Sequence, residues 1–97
     1  MFIGVSQIQL RIPACGSLKG KRHVIKGITG GLRSKFNAAV AEVDNQDVWQ
    51  RATLGVSVIS DTAFHVEKML REIERFISRD DRIEIIAAPI DVQPWED

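Results

Sequence analysis

The stretch RATLGVSVISDTAFHVEKMLREIERFI, residues 51–77, changes from one hydrophobic period to another near its middle. Over residues 51–60, apolar and polar side chains alternate, as they do on a strand with one buried face. From Val66 to Ile77 the apolar side chains recur at helical spacing instead. The sequence therefore predicts a strand that leads directly into an amphipathic helix capped by Asp61.

The remaining segments repeat this pairing of strand and helix. Residues 2–12 alternate as a first strand, and Ser17 precedes a helical pattern over residues 18–35. Residues 37–43 and 82–92 are two further β-rich runs. The order β-α-β-β-α-β predicts an α+β, ferredoxin-like sandwich: a four-stranded antiparallel sheet with two helices on one face and the other face open.

Three glycines, Gly27, Gly30 and Gly31, lie inside the first predicted helix. Each costs about 1 kcal/mol relative to alanine in a helix interior. We therefore expect close packing or fraying there.

The composition is that of one globular domain, residues 1–97. Hydrophobic residues make up 44% of the chain and charged residues 27%, and no apolar run approaches the roughly 18 residues of a membrane span. Cys15 is the only cysteine, which excludes an internal disulfide and a cysteine-based zinc site. We expect a cytoplasmic protein without a membrane contact.

Charge is divided unevenly along the chain. Residues 1–41 carry seven basic and no acidic side chains, whereas residues 42–97 carry six basic and 13 acidic ones, so the segments have net charges of +7 and −7. On a helical wheel, four cations of the first helix fall within about 60° of one another: Lys19, Arg22, Lys26 and Arg33. Such a ridge at a helix N-terminus suits phosphate groups, although it equally suits a solvated helix face.

The basic residues therefore predict a surface for the RNA backbone. Its candidate nucleic-acid-binding residues are Lys19, Lys21, Arg22, Lys26, Arg33, Lys35 and Arg51. Sequence-specific stacking of bases on the open sheet face is not expected, because that face lacks aromatic residues on its central strands.

The open face offers a second candidate surface. One end of this face is apolar. Together with the tryptophan between the predicted strands 37–43 and 51–60, it gives a predicted set of partner-binding residues: Ile3, Val5, Ile59, Ile86 and Trp49. An exposed apolar surface of this kind on a small domain predicts self-association as a homodimer.

Two motifs point to a family: SLKGKR, residues 17–22, and AEVDNQDVWQRA, residues 41–52. On these motifs the chain resembles the YlxP-like proteins, a family of small bacterial proteins of unknown function. The resemblance implies a ferredoxin-like fold and no established enzymatic activity. Because members are often encoded among genes for translation initiation and ribosome maturation, it also implies a ribosomal particle as a candidate partner.

The second motif crowds three carboxylates into one connection. Glu42, Asp44 and Asp47 suggest a site for a hard cation such as magnesium, with oxygen ligands from Asp44, Asp47 and Asn45, but their spacing matches no known calcium loop. The preferred interpretation is a rigid loop, in which Asp44 and Asn45 form the turn and Trp49 folds over the edge of the core. Glu42 or Asp47 is also expected to pair with an arginine or with the basic helix.

No nucleophile, base and oxyanion site can be assembled from these residues. Cys15, His23 and His65 lie in no recognisable catalytic or metal-binding motif, and nothing near Trp95 in the sequence decides its role. We therefore expect a non-enzymatic binding protein without cofactor, metal or small-molecule ligand. The alternative to RNA binding is a homodimeric interaction module that uses the open sheet face or the opposed charges.

Overall fold

The computed structural model describes residues 1–96 as one antiparallel sheet covered on one face by two helices. The elements are β1 Phe2–Arg11, α1 Leu18–Lys35, β2 Ala39–Asp44, β3 Arg51–Ser60, α2 Ala63–Ser78, β4 Glu84–Ala87 and β5 Ile90–Pro94. The sheet order is β2-β3-β1, and β4 and β5 both pair with the other edge of β1. This arrangement confirms the predicted α+β, ferredoxin-like fold.

The central strand β1 shows how the alternating pattern builds the core. Ile8 and Leu10 are buried against the helices, while Gln7 and Gln9, which alternate with them, are exposed on the open face. In the pairing with β3, Leu10 lies opposite Ala52, which is likewise buried. The core therefore lies between the sheet and the helices.

The predicted strand over residues 82–92 is wrong in one respect, because it is divided into β4 and β5. The division falls at Ala88 and Pro89, where proline has no N–H to donate to a ladder. Opposite β4, the register with β1 shifts between Gln9 and Leu10. The Ser6 hydroxyl donates to the Pro89 carbonyl at 2.9 Å and so holds the break against β1.

Of the two predicted helix N-caps, the one for α1 is confirmed and the one for α2 is wrong. Ser17 caps α1 as expected, since its hydroxyl accepts a hydrogen bond from the Gly20 N–H at 3.0 Å. The cap of α2 is Thr62 and not Asp61, because the Thr62 hydroxyl accepts from the His65 N–H at 3.1 Å. Aspartate and threonine are both good N-cap residues, so the sequence pattern alone placed the cap one residue too early.

The glycines of α1 face different surroundings. A Cβ at Gly31 would lie 3.0 Å from the Phe76 ring of α2, and one at Gly27 would lie 3.3 Å from the Arg82 guanidinium. A Cβ at Gly30 would meet nothing within 4 Å. α1 is continuous across all three positions, so close helix packing explains Gly31 and fraying does not occur.

Candidate nucleic-acid interface

The basic ridge of α1 consists of Lys19, Arg22, Lys26 and Arg33, and all four residues are exposed. α1 contains no acidic residue, and within residues 1–96 no carboxylate lies in ion-pair distance of any of the four. Arg33 donates from Nη2 to the Val40 carbonyl at 2.8 Å, which anchors that end of the ridge to β2. The positive charge of the ridge therefore remains available to an anionic partner.

Lys21 does not belong to this surface, so its prediction as a phosphate-binding residue is wrong. Its residue is only 1% exposed, and its Nζ lies 2.9 Å from Oε2 of Glu42 on β2. The same ammonium donates to the carbonyls of Asn45 and Gln46. The signal for this was in the sequence, because a helical wheel places Lys21 about 20° from the apolar Ile28.

Lys35 and Arg51 are exposed but lie away from the ridge. The Lys35 ammonium sits 5.2 Å from the centroid of the Phe76 ring and 5.8 Å from that of Phe36, on the side of α1 that faces α2. Arg51 begins β3 opposite Arg11, and both alternate with buried neighbours, so they lie on the open sheet face. The predicted residues thus divide into one ridge, one buried anchor and two separate cations.

The connection between β2 and β3, residues 45–50, is a compact turn. Asn45 has a φ of 64°, a left-handed conformation that asparagine tolerates, and its N–H donates to the Asp44 carboxylate at 2.8 Å. The Asn45 side chain donates to the Thr53 hydroxyl at 2.9 Å, and the Val48 N–H donates to the Asn45 carbonyl at 3.1 Å. The prediction that Asp44 and Asn45 form the turn is confirmed.

This connection is also fastened to the segment that begins α1. Besides the Lys21 contacts, the Gln50 amide lies 3.3 Å from the Cys15 carbonyl and 3.4 Å from the Pro13 carbonyl. The Gln50 carbonyl in turn accepts from the Ile12 N–H at 2.9 Å. The expected pairing of Glu42 with the basic helix is confirmed, and it joins the two family motifs through the buried Lys21.

Trp49 departs from its expected position. It is 51% exposed, and its neighbour Val48 is 45% exposed, so neither folds over the core. Both side chains project from a connection whose backbone is held on either side by hydrogen bonds. The assignment of Trp49 to a partner-binding surface stays a prediction.

The carboxylates of this motif do not converge. Glu42 is directed to Lys21, whereas Asp44 and Asp47 are exposed in the turn. Across residues 1–96, no three His, Cys, Asp or Glu side chains are grouped so that they could hold a metal ion. Glu42, Asp44 and Asp47 therefore do not form a joint cation site among these residues.

The open sheet face is apolar at one end, as predicted. Val5 is 45% and Ile59 58% exposed at this end, and Ile3 is half-buried. The placement of Ile86 at the same end is wrong: it is 45% exposed, but its strand β4 pairs with Gln9–Arg11 at the other end of β1. A shallow depression of about 480 Å³ runs over this face beside Val5 and Gly55. Thr53 is buried, and its hydroxyl accepts a hydrogen bond from the Asn45 side chain.

Two further side chains near α1, those of Cys15 and Arg82, have partners close by in the sequence. Cys15 is buried, and its thiol lies 3.1 Å from the Ser17 carbonyl. Arg82, which packs over Gly27, pairs with Asp80 at 2.6 Å and thereby holds the pKa of that carboxyl below its usual 3.8.

Neither of the two helices in the described chain is long and apolar enough to cross a membrane.

Comparison with known proteins agrees with the motifs. The model of a family described as "Protein of unknown function (DUF503)" matches residues 3–90. The chain is also 37% identical over 83 residues to the uncharacterized protein YlxP of Bacillus subtilis strain 168, an alignment that covers 86% of this chain and 90% of that protein. The chain therefore belongs to the DUF503 family, whose members include YlxP-like proteins and whose function is unknown.

Proposed function

We propose that this protein is a non-enzymatic, cytoplasmic binding protein that contacts structured RNA, such as that of a ribosomal particle, through the basic ridge of α1. The observation that carries the proposal is that four cations on one helix face are exposed and without a carboxylate partner among residues 1–96. Lys21 is not one of the phosphate-binding residues, because it is buried.

The geometry of the ridge fits a phosphate backbone. From Lys19 to Arg33 the helix extends about 21 Å at 1.5 Å per residue, which is long enough to follow several phosphates. Lysine and arginine recognise phosphate by charge and hydrogen bonding, and they release counterions when they bind. Binding of this type depends on RNA shape more than on base sequence.

The test is charge reversal of the ridge centre. We expect Arg22→Glu/Lys26→Glu to weaken binding to ribosomal RNA fragments and to reduce the salt dependence of log K by about 0.7 for each phosphate that is no longer neutralised. The measurement is a titration of RNA with protein, followed by fluorescence anisotropy at several salt concentrations.

The matched control is Lys68→Glu/Arg75→Glu, which makes the same charge change on exposed positions of α2. This variant should retain the salt slope of the unsubstituted protein. Equal weakening by both double variants would mean that only net charge matters, and the assignment of the site to α1 would fail.

A second candidate function has its own observation. The open sheet face exposes Val5, Ile59 and Ile86, and Trp95 is 59% exposed beside a depression of about 210 Å³ that Ile3 and Val5 also line. Two such faces packed together in a homodimer would remove this apolar surface from water. The protein would then be an interaction module, and its dimer would resist salt.

A further inference from the structure

We propose that Trp49 is a stacking platform for one unpaired nucleobase of the bound RNA, so that the ligand is a structured RNA with a bulged or looped-out nucleotide beside the helix that contacts the ridge. This inference rests on the proposed function and specifies its ligand.

Trp49 lies in a connection whose residues on both sides of it are held by hydrogen bonds. Before it, the Lys21 ammonium binds the carbonyls of Asn45 and Gln46, and after it, Gln50 is hydrogen-bonded to the segment that leads into α1. An exposed aromatic side chain on a rigid backbone loses little further freedom when a ligand stacks on it. Trp49 is 51% exposed, so much of the side chain is open to a ligand.

The same contacts bring the connection that carries Trp49 to the N-terminal end of α1. Gln50, the next residue, contacts the carbonyl of Cys15, which lies four residues before Lys19. Lys21, in the first turns of α1, contacts Gln46, which lies three residues before Trp49. The backbone on both sides of Trp49 therefore lies near the end of α1 where the basic ridge begins.

The pairing of an aromatic surface with unneutralised cations selects the ligand. Stacking on tryptophan accommodates any base, because every base has a π face, while neighbouring lysine and arginine side chains hold the flanking phosphates. A base inside a duplex is already stacked on its neighbours, so only an unpaired one is free to reach the indole.

The experiment compares two hairpin RNAs with the same number of phosphates. One carries a single bulged adenosine, and the other has an abasic nucleotide at that position. The protein carries Trp95→Phe, which leaves Trp49 as the only indole of the two in the chain, and Trp95 lies at the opposite end of β1, where its N–H donates to the Met1 carbonyl. Binding is followed by Trp49 fluorescence and by anisotropy of labelled RNA.

We expect the bulged adenosine to quench Trp49 and to bind about 5- to 150-fold more tightly than the abasic hairpin, which is the range for stacking of one base on an aromatic side chain. Trp49→Leu should abolish this difference, Trp49→Phe should keep most of it, and neither should change the salt slope.

Equal affinity for the two hairpins, with Trp49→Leu binding as the Trp49 protein does, would overturn the stacking site while leaving phosphate binding by the ridge intact. Failure of all hairpins and ribosomal RNA fragments to bind at low salt would instead remove the proposed function, and the stacking site with it. The two failures are thus distinguished by whether ridge-dependent binding remains.

Discussion

Lys21 shows how one residue serves structure where its type suggests ligand binding. Its ammonium is buried, yet it is compensated by the Glu42 carboxylate and by two carbonyls of the β2–β3 connection. A buried charge with such partners is tolerated, whereas a buried charge that loses its partner is costly. Lys21 therefore fixes the connection that carries Trp49 to the start of the basic ridge.

Removal of this ammonium should destabilise the protein. We expect Lys21→Met to lower the free energy of unfolding by about 3 kcal/mol, because Glu42 and the loop carbonyls lose their partner in a largely dehydrated site. The measurement is equilibrium unfolding in urea.

Two further variants test the cause. Lys19→Met, at an exposed position of the same helix, should change the free energy of unfolding by less than about 0.5 kcal/mol. Lys21→Met/Glu42→Gln should recover part of the loss, since a neutral amide is less costly to leave unpaired than a carboxylate. An unfolding curve of Lys21→Met identical to that of Lys19→Met would show that the ion pair contributes nothing.

At the scale of the elements, the contact between α1 and α2 is decided by small residues. Gly31 lets the Phe76 ring approach the α1 backbone, and Phe76 also meets Phe36 edge to face, with ring centroids 5.8 Å apart. Gly4 serves the same purpose between β1 and α2, where a Cβ would lie 2.8 Å from the Leu70 side chain. These two glycines allow α2 to pack closely against α1 and against the sheet.

The glycines of α1 should therefore respond differently to alanine. We expect Gly30→Ala to raise the free energy of unfolding by about 0.5–1 kcal/mol, because alanine favours the helix and its Cβ meets open space. Gly31→Ala should gain less or lose stability, since its Cβ would press on the Phe76 ring at 3.0 Å. Thermal or urea unfolding measures both, and equal stabilisation would mean that the ring moves aside without cost.

At the scale of the whole molecule, the two faces differ in chemistry and suit the two different partners proposed above. The helix face carries the basic ridge, and the open sheet face carries exposed apolar side chains around Val5 and Ile59. RNA binding depends on charge and weakens with salt, whereas association of apolar faces does not.

The homodimer candidate predicts a specific result. If two open faces pack together, light scattering should give twice the chain mass at both low and high salt, and Val5→Glu should return the mass to that of one chain. Arg22→Glu/Lys26→Glu should leave this dimer unchanged, because the ridge is on the other side of the sheet. A monomer at all salt concentrations would exclude this candidate.

The sequence by itself determined most of the fold, because alternation in β1 and β3 and helical spacing in α1 and α2 reflect which side chains face one core. It also determined the four-residue ridge, since a helical wheel needs only local geometry. The break between β4 and β5 was missed although Pro89 cannot donate to a ladder, because the β-branched Ile85, Ile86 and Ile90 on either side continue the strand pattern.

Only the tertiary structure decided what the charged and aromatic residues of the two motifs do. The pairing of Lys21 with Glu42 and the attachment of the connection that carries Trp49 depend on contacts between residues more than 20 positions apart, which no local period encodes. The same holds for Gly31, whose neighbour Phe76 comes from another helix. Local periodicity specifies which face of an element is buried, but the partner of a buried charge is set by how the elements pack.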